Sequence, residues 1–177
     1  MRRKLLSWTS WGILALTISP SFIARSQEAN SEPKTDERNI RSLISDWVAA
    51  YKNLDAKRLA ALELPNVEIV DRFGDPHQPT GRAENEKLWS DAFEVVSPST
   101  EPPKTTIDHI RFLGPDVAVV QMSWEFASGI LLTDGSRIPP YSQIDVYVVT
   151  KSQSEWMVAA HYMQKETPPG CSFPECD

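Results

Sequence analysis

Apolar residues fall at Ile40, Leu43, Ile44, Trp47, Val48 and Tyr51, which is helical spacing over three turns. That spacing predicts a first helix, with Thr35 or Asp36 placed to cap its start. Asn53-Leu54-Asp55 reads as a turn, and Asp55 can cap a second, short helix carrying Leu59 and Leu62 that Pro65 stops. A strand is expected over 67–71. Residues 72–80 hold Gly74, Pro76 and Pro79 and read as a loop. Gly81 opens a third helix with Leu88, Trp89, Ala92, Phe93 and Val96 on one face. After a Pro-rich stretch over 97–103 the pattern turns to strands, over 104–113, 117–131, 141–151 and 155–165. Gly114-Pro115-Asp116 and Thr133-Asp134-Gly135 punctuate them. Three helices followed by long antiparallel strands make an α+β layout: helices packed on a strongly curved, mostly antiparallel sheet.

The N-terminal segment carries a different message. Met1-Arg2-Arg3-Lys4 is a short basic stretch, an apolar run follows, and Ala24-Arg25-Ser26 puts small residues at the −3 and −1 positions of a cleavage site. That is the layout of a secretory signal peptide over 1–26. Pro20 and the polar interruptions speak against a retained membrane anchor. The expected organisation is a signal peptide, a flexible leader over 27–36, one domain over 37–166 and a tail over 167–177. The expected location is therefore periplasmic or secreted. In an oxidising compartment the tail cysteines, Cys171 and Cys176, are expected to form a local disulfide that pins the tail.

Composition narrows the function classes. The chain has 177 residues, 41% hydrophobic and 24% charged, which is ordinary for one globular domain. Its net charge of −6, with no basic run after Lys4, excludes nucleic acid as an expected partner. Two cysteines and three scattered histidines give no metal-ligand spacing, so no metal is expected. No Gly-rich dinucleotide fingerprint is present, and no cofactor is expected.

Several strings, in order, carry a resemblance. They are the first helix with its Asn-Leu-Asp-Ala turn, Ile-Val-Asp-Arg-Phe-Gly followed by Thr80-Gly81-Arg82, the turn Leu-Gly-Pro-Asp-Val-Ala-Val-Val, and Glu-Trp-Met-Val-Ala-Ala-His-Tyr near the end. Over about residues 37–165 the chain resembles the nuclear transport factor 2-like superfamily, on its SnoaL-like and ketosteroid-isomerase-like side. The resemblance implies a cone, with the sheet wrapped around the long helix and a pocket open at one end. It also implies a homodimer through the outer sheet face. It does not imply one activity, because such folds host isomerases, cyclases, dehydratases, scaffolds and ligand carriers.

Asp71 shares a strand face with Val67 and Ile69, so it either points into an apolar interior or ends the strand and caps the following loop. Inside, desolvation would suit it to general base work. The resemblance sets it where ketosteroid isomerases keep their proton-abstracting Asp. Asp145, in Gln-Ile-Asp-Val-Tyr, resembles the isomerase acid that donates to an oxyanion. Its strand leaves the choice of face open. Asp145 shares one face with Tyr141, Gln143 and Tyr147, whereas Ile144, Val146 and Val148 form a fully apolar one. Trp47 stands at the position of the isomerase tyrosine, with Tyr51 one turn later, and an indole can donate a hydrogen bond without delivering a proton. The candidate catalytic residues are thus Asp71, Asp145 and Tyr51. Trp47, Trp89, Trp124 and His161 are the candidate ligand-binding residues. The expected function is binding of a small, largely apolar molecule in the cone. The alternatives are a cofactor-free isomerase, cyclase or dehydratase with an Asp base, and a dimeric scaffold with a filled cone.

Overall fold

A computed structural model describes residues 21–70 and 81–165. Three helices and seven strands run in the order α1 (Ser21–Lys52), α2 (Ala56–Ala61), β1 (Glu63–Val70), α3 (Arg82–Glu94), β2 (Lys104–Gly114), β3 (Val117–Phe126), β4 (Ile130–Leu131), β5 (Arg137–Ile138), β6 (Tyr141–Ser152) and β7 (Glu155–Lys165). Five strands form one sheet in the order β1-β7-β6-β3-β2, and β4 and β5 form a small hairpin. Every pairing in the large sheet is antiparallel except β1 with β7. The architecture is the expected α+β one, with helices packed on a curled, unclosed sheet.

The helix periodicity translates directly into burial. Ile40, Leu43, Ile44, Trp47 and Ala50 of α1 are buried and pack against the inner sheet face. The Asp55 side chain accepts a 2.9 Å bond from the Arg58 backbone N–H and caps α2, as its sequence position implies. α2 ends at Ala61, four residues ahead of Pro65, so the proline lies inside β1 rather than stopping the helix. Gly81 precedes α3 with φ of +98°, a conformation that side chains rarely adopt.

Two further expectations are corrected. The strand expected over 117–131 breaks after Phe126. Gly129 turns the chain at φ of +66°, and a Cβ there would lie 2.0 Å from the Ile138 carbonyl oxygen. The first helix also runs on ahead of Thr35 and Asp36, taking in the segment expected as a leader, so neither residue caps it. Asp36 serves tertiary structure instead. Its carboxylate meets Lys151 Nζ at 2.9 Å and accepts from the Trp156 indole at 3.0 Å, tying α1 to the β6–β7 hairpin. Asp71, His77, Cys171 and Cys176 lie outside the described residues.

Burial works to raise the Asp36 carboxyl, but the bonds from Lys151 and Trp156 outweigh it and hold the group below its ordinary value. A folded-state value below the unfolded one stabilises the fold above the ordinary carboxylate range and ceases to do so as pH falls through the folded value. Asp36→Ala is therefore expected to cost about 1–3 kcal/mol at pH 7. Urea unfolding of both proteins at pH 7 and again near pH 3 checks this, and the difference should shrink at the lower pH.

Candidate functional site

The face of β6 is decided by its neighbours. Asp145 pairs with Met122 of β3, Gln143 with Trp124 and Tyr147 with Val120. All three β3 partners are buried, so the polar face of β6 is the inner one. Ile144, Val146 and Val148 lie half-buried on the outer face. Along β7, burial alternates through Trp156, Val158 and Ala160, and then His161 is also buried. The β6–β7 register shifts beside this point: Val149 pairs with Val158 but Val148 pairs with Ala160. This irregularity changes the phase of the strand and turns His161 inward and Tyr162 outward.

The bulge completes a polar cluster around one carboxylate. Asp145 is 1% exposed. Its Oδ1 accepts from Gln143 Nε2 at 2.5 Å, and its Oδ2 accepts from the Tyr147 hydroxyl at 3.1 Å. His161 Nε2 lies 2.9 Å from the same Oδ2. The His161 ring stacks on Tyr147 with centroids 4.3 Å apart. Burial pushes the Tyr147 phenol well above its ordinary value, and the adjacent Asp145 adds to the shift.

Asp145 and Gln143 border a cavity of about 150 Å³, bounded also by Trp47, Tyr51, Trp89 and Trp124. Leu88, Ala92, Phe126, Tyr141 and Met163 complete the lining, with Ala92 exposed at the rim. An apolar cavity of about this volume accommodates a single benzene ring in other proteins. The Trp47 and Tyr51 rings are within 11° of parallel, their centroids 6.0 Å apart. Trp89 stands at 82° and 87° to them, and Trp124 at 77° and 66°. The cone is therefore not filled, and it ends in an aromatic box. Burial pushes the Tyr51 phenol well up, with Tyr141 and Asp145 contributing.

The structure thus brings together Trp47, Tyr51, Trp89, Trp124 and Asp145 around one space. It places His161 behind Asp145 rather than at the cavity mouth, fully buried and in contact with the carboxylate instead of the cavity. His109 is exposed on β2.

Sequence reasoning missed a second buried acid. Glu63, at the start of β1, is completely buried and accepts from Asn85 Nδ2 of α3. The Arg82 guanidinium holds the start of β1, its Nε donating to the Glu63 carbonyl oxygen at 2.9 Å. Asn85 sits one turn before Trp89 on the apolar face of α3, and a polar residue at that phase was the available signal. Burial pushes the Glu63 carboxyl up, against the pull of Asn85, His161 and Trp47.

Known folds fit this geometry, though no protein-family model and no curated protein sequence matches the chain. A ketosteroid isomerase-like protein from Erwinia carotovora atroseptica SCRI1043 superposes with a TM-score of 0.64 at 16% identity, over 73% of this chain and 95% of that one. A candidate scytalone dehydratase from Novosphingobium aromaticivorans DSM 12444 gives 0.61 at 14% identity, over 77% and 88%. A nuclear transport factor 2-like protein of unknown function from Shewanella oneidensis MR-1 gives 0.57 at 14% identity, over 72% and 98%. The fold of this chain is the nuclear transport factor 2-like fold. Identities this low carry no activity with them.

The raised Glu63 carboxyl has a measurable consequence. A carboxyl raised by folding binds its proton more tightly in the native state than in the unfolded chain, so the stability it adds at low pH is lost as pH climbs through the folded value. Thermal unfolding should show the wild type gaining stability as pH is lowered from 7 toward the ordinary Glu range. Glu63→Gln, neutral throughout, should lack that gain and be no less stable at pH 7.

Proposed function

We propose that this chain binds a small, largely apolar molecule of about one-ring size in its aromatic box, with Asp145 as the polar anchor. The carrying observation is the cavity of about 150 Å³ in which four aromatic side chains from α1, α3 and β3 meet a single carboxylate. The four lone-pair directions of that carboxylate explain its role. Three are taken by Gln143, Tyr147 and His161, which leaves one on Oδ1 for a ligand donor. A scaffold with a filled cone accounts less well for this space. On the same reading the protein is exported after cleavage following Ser26. It works as a homodimer through the outer face that carries Ile144, Val146 and Val148.

The contact between His161 and Asp145 favours a second reading, a cofactor-free acid–base enzyme of isomerase, cyclase or dehydratase type. Asp145 would move the proton, and His161 would orient it and balance its charge. Asp71 would stand as a further base candidate. On this reading Asp145→Asn lowers kcat on an enolisable substrate by about 100-fold or more.

The binding reading is tested by titrating one-ring aromatic compounds and following tryptophan fluorescence and indole NMR signals. Ala92→Trp narrows the mouth from an exposed rim position and is expected to weaken binding at least about tenfold, a loss of roughly 1.4 kcal/mol. Binding that Ala92→Trp leaves unchanged would place the ligand elsewhere, and the absence of any bound compound would contradict the reading.

A further inference from the structure

The aromatic box has an electrostatic character that narrows the ligand class. Asp145 is the formal charge on its wall, and among the described residues no Lys or Arg lines the cavity. Lys52 is exposed and borders an adjoining crevice of about 50 Å³ beside residues 96–103, which shares Tyr51 and Phe126 with the cavity. Gln143 and Tyr147 donate to Asp145, and His161 Nε2 lies 2.9 Å from its Oδ2, so one lone-pair direction on Oδ1 is left for a donor from the cavity. His161 Nδ1 is buried and meets no hydrogen-bond partner among the described residues. Asp145 is the one acidic side chain on the cavity wall among the described residues. A buried charge without a counter-charge is costly, and the expense falls when a partner of opposite sign enters.

The rings point the same way. Trp47 and Tyr51 lie nearly parallel, side by side, while Trp89 and Trp124 stand close to perpendicular to both. The indole N–H of Trp47 is turned toward Glu63 and that of Trp124 toward Tyr147, although neither reaches hydrogen-bond geometry. The buried indole N–H of Trp89, which also lines the cavity, likewise has no partner among the described residues. Aromatic faces carry negative potential and attract cations, most strongly where water is excluded.

We propose that the ligand of this cavity is a small organic cation, a protonated or quaternary amine, held by cation–π contact with the aromatic box and by the carboxylate of Asp145. The proposal rests on the reading of the cavity as a ligand site and adds the charge of the ligand. No covalent step is involved.

The test is calorimetric titration of the chain with three probes of one shape: benzylammonium, benzyl alcohol and benzoate. Benzylammonium is expected to bind about tenfold or more tightly than benzyl alcohol, and benzoate most weakly. In Asp145→Asn the preference for the cation over the alcohol is expected to fall to within about threefold, the aromatic contribution alone remaining. The wild-type ranking carries the test even where that variant fails to fold. Benzyl alcohol binding as tightly as benzylammonium, or benzoate binding best, overturns the cation proposal and leaves the ligand site standing. Binding by none of the three overturns both.

Discussion

A carboxylate buried in an apolar interior must be satisfied on nearly every lone pair, and Asp145 imposes that condition on the centre of this sheet. Its 1% exposure leaves no solvent to do the work. Gln143 and Tyr147 come from the same face of the same strand, two residues to either side. The third donor has to come from β7, and there the regular alternation would have aimed Tyr162 inward. The register shift between Val148 and Val149 puts His161 in that place. A local defect in the ladder thus completes the hydrogen-bonding of a group about which the inner sheet face is arranged.

The same condition organises the helices. Trp47 lies edge-on to both Tyr147 and His161, with centroids 5.3 and 5.1 Å away, so the long helix seals the polar cluster with an indole. Trp89 of α3 stacks over His161 at 6.5 Å. Beyond these rings lies Glu63, whose carboxyl burial pushes up. Two acids in one core are thus accommodated in two ways: Asp145 among three polar partners, Glu63 with a carboxyl pushed up by burial and bonded to Asn85. Both differ from Asp36, whose carboxylate binds a lysine and an indole near the surface and fastens α1 to the sheet.

Much of this was legible in the sequence. The 3.6-residue spacing of Ile40, Leu43, Ile44 and Trp47 located the core face of α1, and Asp55 located the start of α2. The order of elements carried the fold class, and Trp47, Tyr51, Trp89 and Trp124 were read as the pocket and meet there. What alternation could not decide was the face of β6, because the inner face is the more polar one. Only the cross-strand partners on β3 break that tie. His161 was recognisable as a candidate, but its depth depends on an irregularity that Ala159-Ala160 do not announce. Glu63 left no signal of its own beyond its partner Asn85, because its burial comes from β1 pairing with the last strand, a contact between distant parts of the chain. Asp36 read as a cap since the helix was expected to begin there.

The central claim is that Asp145 is an interior carboxylate receiving a proton-bearing nitrogen from His161. The most direct measurement is long-range nitrogen–proton NMR of the imidazole of His161 at neutral pH. Donation from His161 to Asp145 predicts the proton on Nε2, slow to exchange with solvent, and a shift of that signal when Asp145 is replaced by Asn. A proton on Nδ1 alone, or a ring averaging freely with water, would contradict the arrangement from which the site is derived.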